Sequence, residues 1–393
     1  MKHLSPYKYM IALVLLFSVT SCRKDIPQIN DPGQYVEANF NEIFDAYWNG
    51  MNNNYVFWDI DTVDWDRVYR TYKPLFAKLN ANDSVDVQKA YTYFKQMTSG
   101  LVDSHYDLSF NDTWLADSAS INPAYQRKRA SPNYHPGISI LHFYNVITSK
   151  YLDPDRVRGF TNFPDGSQSV ATSGTINGNI LYFYFKDFRL KGLFNTDTMN
   201  GVKRVETWFF DKLKNKTDIK GLIIDVRGNG GGALEDLDFL VGRMIDKPIT
   251  IGATRSKMGM GRLDYSPWAP AYVRPHKDAR AITVPIVILA DAWSVSMAEM
   301  TTMAIKTLPN GHFVGERTWG GNGPLTGNKF YNGGRFGTAF LNEVYTSSLT
   351  FRYRDNKIYE GIGFPPDVEV KYNKAELDVQ IDRQLETAIG LIK

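Results

Sequence analysis

The sequence predicts an α/β protein with a helical N-terminal region. Three observations carry this. From residue 36 to about residue 100, aromatic and aliphatic side chains recur every three to four positions, the period of amphipathic helices. From residue 176 onward, short apolar runs alternate with longer amphipathic stretches, the pattern of strands and helices in a largely parallel sheet. The chain is 393 residues long and 43% hydrophobic, ample for a core larger than one domain of about 150 residues would need.

The first residues read as an address. Lys2 and Lys8 precede and open an apolar run from Tyr9 to Val19, which ends in Thr20-Ser21-Cys22. A basic start, a short apolar stretch and a small residue before the cut describe a secretory signal. The run is shorter than the roughly 20 residues a membrane-spanning helix needs. Cleavage before Cys22, the only cysteine, would leave its thiol at a new N-terminus, ready for a lipid, and Val19-Thr20-Ser21-Cys22 resembles a bacterial lipobox. Residues 1–21 are therefore expected to be a lipoprotein signal peptide, and residues 22–35, polar with Pro and Gly, a tether. An ordinary signal peptide or a buried N-terminal helix are the alternatives. A single cysteine excludes internal disulfides and multi-cysteine metal sites, and no His-Glu-x-x-His pattern occurs, so neither metal nor cofactor is expected. Lys+Arg number 45 against 42 Asp+Glu, a net charge of +3, which does not favour nucleic-acid binding through a broad basic surface.

Within residues 36–110 the helical stripes are Phe40, Ile43, Phe44, Tyr47 and Trp48, then Val68, Tyr72, Leu75, Phe76 and Leu79, then Val87, Ala90, Tyr91, Phe94 and Met97. They read as core rather than as a ligand box. Alternation at Tyr106, Leu108 and Phe110 predicts a strand. Residues 111–175 mix Pro, Asn and Ser with few apolar patches and read as a linking segment. The α/β domain spans 176–393. Asn177-Gly178-Asn179 is a hairpin-type turn into the strand Ile180–Phe185. A helix follows over 202–213, a strand over 221–226, a helical stretch over 233–244, a strand over 284–290 and a helix over about 296–308.

Two turns in this domain carry candidate chemistry. Asp225-Val226-Arg227-Gly228-Asn229-Gly230-Gly231-Gly232-Ala233 joins a strand to a helical stretch. Gly228-x-Gly230-x-x-Ala233 formally fits a dinucleotide fingerprint, but the turn lies deep in the chain. Glycines also let backbone N–H groups turn inward at a helix N-terminus to hold an oxyanion, and a tight turn without a ligand remains open. In the second turn, Ser296-x-x-Glu299 fits a capping box. A serine there can equally be a nucleophile, with the Met297 N–H beside it as oxyanion donor, provided a base is near. Beyond His3 there are five histidines. His135 and His276 look like loop residues, His142 and His312 sit in apolar, strand-like contexts, and His105 follows Asp103-Ser104 at a helix–strand junction.

Five segments in order carry a family resemblance. They are Leu101-x-Asp103-x-His105, Asp225-Val226-Arg227-x-Asn229-x-Gly231-Gly232, Ser294-Val295-Ser296-x-Ala298-Glu299, Val314-Gly315-Glu316-Arg317-Thr318-Trp319-Gly320-Gly321, and Glu360-x-x-Gly363-x-x-Pro366-Asp367. Together they resemble the serine peptidases of the C-terminal processing and tricorn core type, over most of residues 36–372. The resemblance implies a crotonase-like (ClpP/crotonase) β-α spiral catalytic domain, with the helical N-terminal region supplying the histidine. The processing branch of the family uses a Ser–Lys dyad, but its lysine position is Gly321 here. The tricorn branch implies Ser296 as nucleophile, His105 as base, Ser104 holding the imidazole and Glu360 orienting Ser104. Gly230, Gly231 and the N–H of Met297 would form the oxyanion hole. Many relatives carry a PDZ domain after the histidine. The interval 111–175 shows no clear carboxylate-binding loop of that kind, so a PDZ domain is expected to be absent or degenerate.

The function so implied is a serine endopeptidase that hydrolyses peptides or unfolded proteins in the bacterial cell envelope. It would be lipid-anchored, facing the periplasm or the outer-membrane surface. A different class remains open, a non-catalytic ligand-binding protein on the same scaffold, for which 23 Tyr, 23 Phe and 8 Trp would furnish an apolar pocket.

Overall fold

Asn39, Asp64 and Asp83 each place a side-chain oxygen on a free N–H of the turn that follows, and each opens a helix. These are α1 (Phe40–Asn54), α2 (Trp65–Phe76) and α3 (Ser84–Thr98). The computed structural model describes residues 39–116, 119–259, 261–325 and 334–392. The signal peptide, the tether and Cys22 lie outside the described residues. Phe40, Phe44 and Tyr47 of α1, Phe76 of α2 and Phe94 of α3 form one aromatic core. Phe94 meets Tyr47 edge-on at 5.0 Å.

That core is shared with distant chain. Strands β1 (Asp107–Phe110) and β2 (Ser120–Ile121) pair with each other, and β1 pairs antiparallel with a strand more than 230 residues later. Phe340, Leu341 and Val344 from this later segment pack among the helices. The N-terminal helices and the C-terminal part of the chain thus form one packed body.

Helix α4 (Pro123–Ala130) and a π-helical segment (His142–Tyr151) precede strands β3 (Val157–Asn162), β4 (Gln168–Ile176) and β5 (Ile180–Phe185). Asn177 and Gly178 adopt φ of 53° and 75°, the left-handed turn that joins β4 to β5. The expected linking segment at 111–175 therefore contributes two strands to the main sheet, and the boundary at residue 176 falls at the end of a sheet strand. His142 also departs from its strand-like reading. It begins the π-helical segment, with Nε2 2.9 Å from Asp382 Oδ2.

After α5 (Leu190–Phe194) and α6 (Gly201–Asn215) come β6 (Gly221–Asp225), α7 (Asp236–Leu240), β7 (Ile249–Ser256), β8 (Ala269–Val273), β9 (Ile286–Ala290), α8 (Met297–Thr307) and β10 (Gly311–Gly315). The helical stretch expected over 233–244 is shorter than its pattern suggests, because α7 passes into a 3-10 turn at Val241–Met244. The chain ends in β11 (Arg335–Phe336), β12 (Leu341–Tyr345), β13 (Leu349–Tyr353), β14 (Val368–Glu369), α9 (Lys374–Asp378) and α10 (Arg383–Ile392).

The main sheet has seven strands in the order β14-β10-β9-β6-β5-β4-β3. From β5 to β14 every pairing is parallel, and β3 and β4 extend the sheet antiparallel. Both faces are covered, which explains the unbroken apolar runs. Leu181, Phe183 and Ile224 face a core that includes α6 and α8. Tyr182, Tyr184 and Ile223 face the π-helical segment and α10. Two smaller antiparallel sheets, β11-β12-β1-β2 and β13-β7-β8, flank it. Among the described residues no helix is long and apolar enough to cross a membrane.

Candidate active site

The C-terminal ends of the parallel strands form a cleft edge, where loops from several strands converge. Ser296 sits there, between β9 and α8, with φ 57° and ψ −116°. Ordinary helix caps use extended backbone, and Asn39, Asp64, Asp83, Asn122 and Asn200 all do so here, with φ between −71° and −122°. A left-handed serine is a strained turn that projects its side chain outward. Glu299 Oε2 accepts the Ser296 N–H at 3.1 Å, as the capping-box spacing expects.

The glycine turn packs beneath this serine. Asn229 O accepts the Val295 N–H at 2.9 Å. A Cβ on Gly231 would lie 2.7 Å from Ser296 Cβ, and Gly231 has φ 92°, so no larger residue fits. Its N–H donates to Asn229 Oδ1 at 2.8 Å. Gly231 is therefore a close-approach residue and not a free oxyanion donor, a correction to its expected role. Among the described residues, the N–H groups of Gly230 and Met297 donate no hydrogen bond, as an oxyanion hole requires. The turn itself is held by Arg227. Its guanidinium bonds both oxygens of Asp225 and both of Asp382, all three residues being fully buried or nearly so.

His105 reaches the site from the helical region. Asp61 accepts the hydroxyl of Tyr55 at 2.6 Å and the N–H of Val102 at 2.9 Å. Tyr106, next to His105, shares a 2.8 Å hydroxyl–hydroxyl bond with Tyr47 of α1. Asp103 Oδ1 accepts the His105 N–H at 2.9 Å. The helices thus serve as a clamp on residues 102–106.

The imidazole's partner differs from the expectation. Ser104 Oγ donates to Gly320 O at 2.6 Å, so it does not hold the ring. Nδ1 of His105 instead lies 3.5 Å from Ser347 Oγ. Ser347 donates both its hydroxyl and its N–H to Asp103, at 2.9 and 2.8 Å. With its hydrogen on Asp103, the Ser347 oxygen is an acceptor toward Nδ1–H. That tautomer leaves Nε2 free to take a proton. Asp103 stands in the first of the five motifs without a role assigned to it, and Ser347, which faces the imidazole, lies outside all of them. Thr346-Ser347-Ser348 is a fully buried hydroxyl run between β12 and β13, and only that burial marks it.

Glu360 does meet Ser104, through the backbone. Glu360 Oε1 accepts the Ser104 N–H at 2.8 Å, and Oε2 accepts those of Asn322 and Gly323 at 2.9 and 2.8 Å. Burial, then the nearby Asp103, push this carboxyl well above its usual range, against those donors. Burial pushes Asp103 up to about 6 and His105 down to about 4, so the imidazole is neutral near pH 7. Asp103, His105 and Glu360 place ligand atoms within 4.8 Å of one another. Each carboxylate already accepts three hydrogen bonds, with which a cation would have to compete.

Gly321 ties the two halves together. A Cβ there would lie 3.1 Å from Val295 Cγ1 and 3.2 Å from Ser104 Cβ. The chain neighbours of Ser296 and of His105 therefore flank one point. The structure brings Ser296, His105, Ser104, Glu360, Gly230 and Met297 into one site. No hydrogen bond joins Ser296 to His105 among the described residues, and such catalytic contacts commonly tighten only with substrate.

A strained serine at a strand–helix turn, two N–H groups that donate no hydrogen bond and a neutral buried histidine are the parts that a serine hydrolase site requires. Residues 191–370 match peptidase family S41, and residues 36–86 match the tricorn protease C1 domain. The chain is 25% identical to the tricorn protease of Thermoplasma volcanium over 252 residues, 63% of this chain and 21% of the relative. It is 27% identical to the carboxy-terminal processing protease CtpA of Bacillus subtilis over 159 residues, 40% of this chain and 32% of that one. It thus spans about a fifth and about a third of the lengths of these relatives. The fold is shared with a putative peptidase from Parabacteroides merdae, at a TM-score of 0.64 and 24% identity, over 91% of this chain and 97% of that chain. The chain is thus similar to serine peptidases of the S41 and tricorn type over residues 191–370 and 36–86.

Proposed function

We propose that the protein is an endopeptidase acting on peptides or unfolded proteins, with Ser296 as nucleophile and His105 as general base. The observation that carries this is the positive-φ turn at Ser296, seated against Gly231 with the Met297 N–H unspent. Ser296 Oγ attacks the scissile carbonyl carbon and gives its proton to His105 Nε2. The oxygen of the tetrahedral intermediate accepts from the N–H groups of Met297 and Gly230. The leaving amine takes the proton from His105, and a water hydrolyses the acyl-serine by the reverse relay. Ser347 and Asp103 hold Nδ1–H and stabilise the imidazolium. Ser104 and Glu360 fix the loop that carries the histidine. In this reading the parallel layer from β5 to β14 is a crotonase-like spiral.

The setting we propose is the bacterial cell envelope, with the chain cleaved after Ser21 and lipidated on Cys22. Val19-Thr20-Ser21-Cys22 supports it. Metabolic labelling with a clickable fatty acid should tag the wild type and not Cys22→Ser. Tagging of both would remove the anchor.

The catalytic reading is tested with a fluorophosphonate probe. Labelling of the wild type and none of folded Ser296→Ala is expected. A folded wild type that takes no label and cleaves no unstructured polypeptide would point to a binding protein on this scaffold.

A further inference from the structure

Beside the nucleophile loop lies a cavity of about 380 Å³ that the proposed mechanism does not use. Ser104 forms part of its wall, so it adjoins the catalytic residues. Trp293 and Trp319 supply flat apolar walls, their ring centroids 5.4 Å apart. Three cations line it, Arg127, Lys128 and Arg317, and among the described residues no carboxylate does.

The cations are not equivalent. Arg127 gives its guanidinium to the carbonyls of Ser99 and Leu101, and Arg317 donates to Gly363 O at 2.9 Å. Both are used to hold loops. Lys128, on α4, is half-buried, with its ammonium 4.1 Å from the centre of the Trp319 ring. It donates to one backbone carbonyl, that of Ala292, and makes no ion pair within 4 Å among the described residues. An ammonium has three donors. One is spent, and among the described residues no carboxylate lies within 4 Å to take the rest. Taking such a charge partly out of water without a counter-ion is unfavourable, whereas an incoming carboxylate would form a charge-assisted hydrogen bond in a site of reduced dielectric. Burial has already pushed Lys128 down to about 8, against the pull of Glu299, Asp291 and Glu316 behind it. It remains mostly charged at neutral pH.

We propose that this cavity is a substrate subsite for a carboxylate of the bound peptide, read by Lys128 between the two tryptophans. The inference rests on the peptidase reading only for its statement that the ligand is a peptide. The carboxylate has two possible sources, an Asp or Glu side chain or the peptide's own C-terminus.

Both sources are tested on full-length Ser296→Ala protein, which binds without cleaving. Three peptides of one otherwise neutral sequence are compared by calorimetry: an internal Glu with an amidated end, an internal Gln with an amidated end, and an internal Gln with a free carboxylate. The peptide carrying the recognised carboxylate should bind about tenfold tighter than the uncharged one. Lys128→Met should erase that difference, Lys128→Arg should keep it, and Lys128→Glu should reverse it in favour of the uncharged peptide. Equal affinity for all three peptides would overturn the proposal, as would a preference that survives in Lys128→Met. This readout needs no turnover. A protein that keeps the preference yet takes no fluorophosphonate as wild type loses the catalytic reading and keeps the subsite.

Discussion

Glu299 and Glu360 grip consecutive N–H groups of a single loop. Glu299 takes Gly320 and Gly321, at 2.8 and 2.6 Å, and Glu360 takes Asn322 and Gly323. Each also holds a catalytic segment, Glu299 through the Ser296 N–H and Glu360 through the Ser104 N–H. The separation of the proposed nucleophile and base is therefore set by two buried carboxylates and four residues of backbone between them. Glu299→Gln keeps the shape but cannot accept at every point, since one of its two oxygens becomes an NH₂ group. It should lower kcat/KM by about a hundredfold, the effect of misplacing reacting groups by about 1 Å. Steady-state kinetics alongside circular dichroism would show this, and an unchanged kcat/KM would remove the tether.

Ser347→Ala takes away the acceptor facing Nδ1 of His105. We expect kcat to fall by roughly a hundredfold or more with KM little changed, because the interaction matters most once the imidazolium forms. Asp103→Asn should act in the same direction, and the double variant should lose little beyond the worse single one. Additive losses would mean that the two residues act separately.

The acid limb of the pH–rate profile should lie low. A general base works when neutral, that is, above its pKa. An unperturbed histidine loses activity as the pH falls through about 6.5. Burial holds His105 near 4 and Asp103 near 6. The midpoint of kcat/KM in the acid range is therefore expected at or below pH 6, measured with a substrate free of ionisable groups. A midpoint at 6.5 or above would place the histidine in water.

Gly231→Ala sets a methyl group 2.7 Å from Ser296 Cβ, at a φ of 92° that alanine rarely adopts. The serine turn must shift. Activity should drop by more than a hundredfold, with a stability loss of about 1–3 kcal/mol by urea titration. Near-wild-type kinetics would mean that the turn tolerates displacement.

Arg227→Met leaves Asp225 and Asp382 buried side by side without their cation. Breaking such a pair costs about 3–5 kcal/mol. Chemical denaturation should show a loss of that size, far above that of an exposed pair such as Lys374–Asp378.

Some of this was legible in the sequence and some was not, for physical reasons. Ser296, His105 and Glu360 stand in segments whose order is distinctive. Ile180–Phe185 reads as a strand because both of its sides are apolar. Gln168–Ile176 does not, since Ser169, Thr172, Ser173 and Thr175 occupy buried positions of β4. Three of these hydroxyls are paired, with Asp187, Tyr182 O and Asp153, so the strand buries polar atoms that hydropathy patterns assign to loops. Ser347 was hidden similarly, as one hydroxyl residue among three. The partner of an imidazole depends on where β12 and β13 place their connection, which local spacing does not encode.

Strand β1, just after His105, pairs with β12, and Ser347 and Glu360 come still later in the chain. A ribosome that has translated through residue 334 has already made Ser296 and His105, yet it holds neither the hydroxyl that faces the imidazole nor the carboxylate that fixes its loop. The growing polypeptide therefore carries a nucleophile and a base that are not yet a machine. On the proposed mechanism, cutting power waits for the segment that runs from β12 to Glu360, so a nascent chain short of that segment is spared its own site.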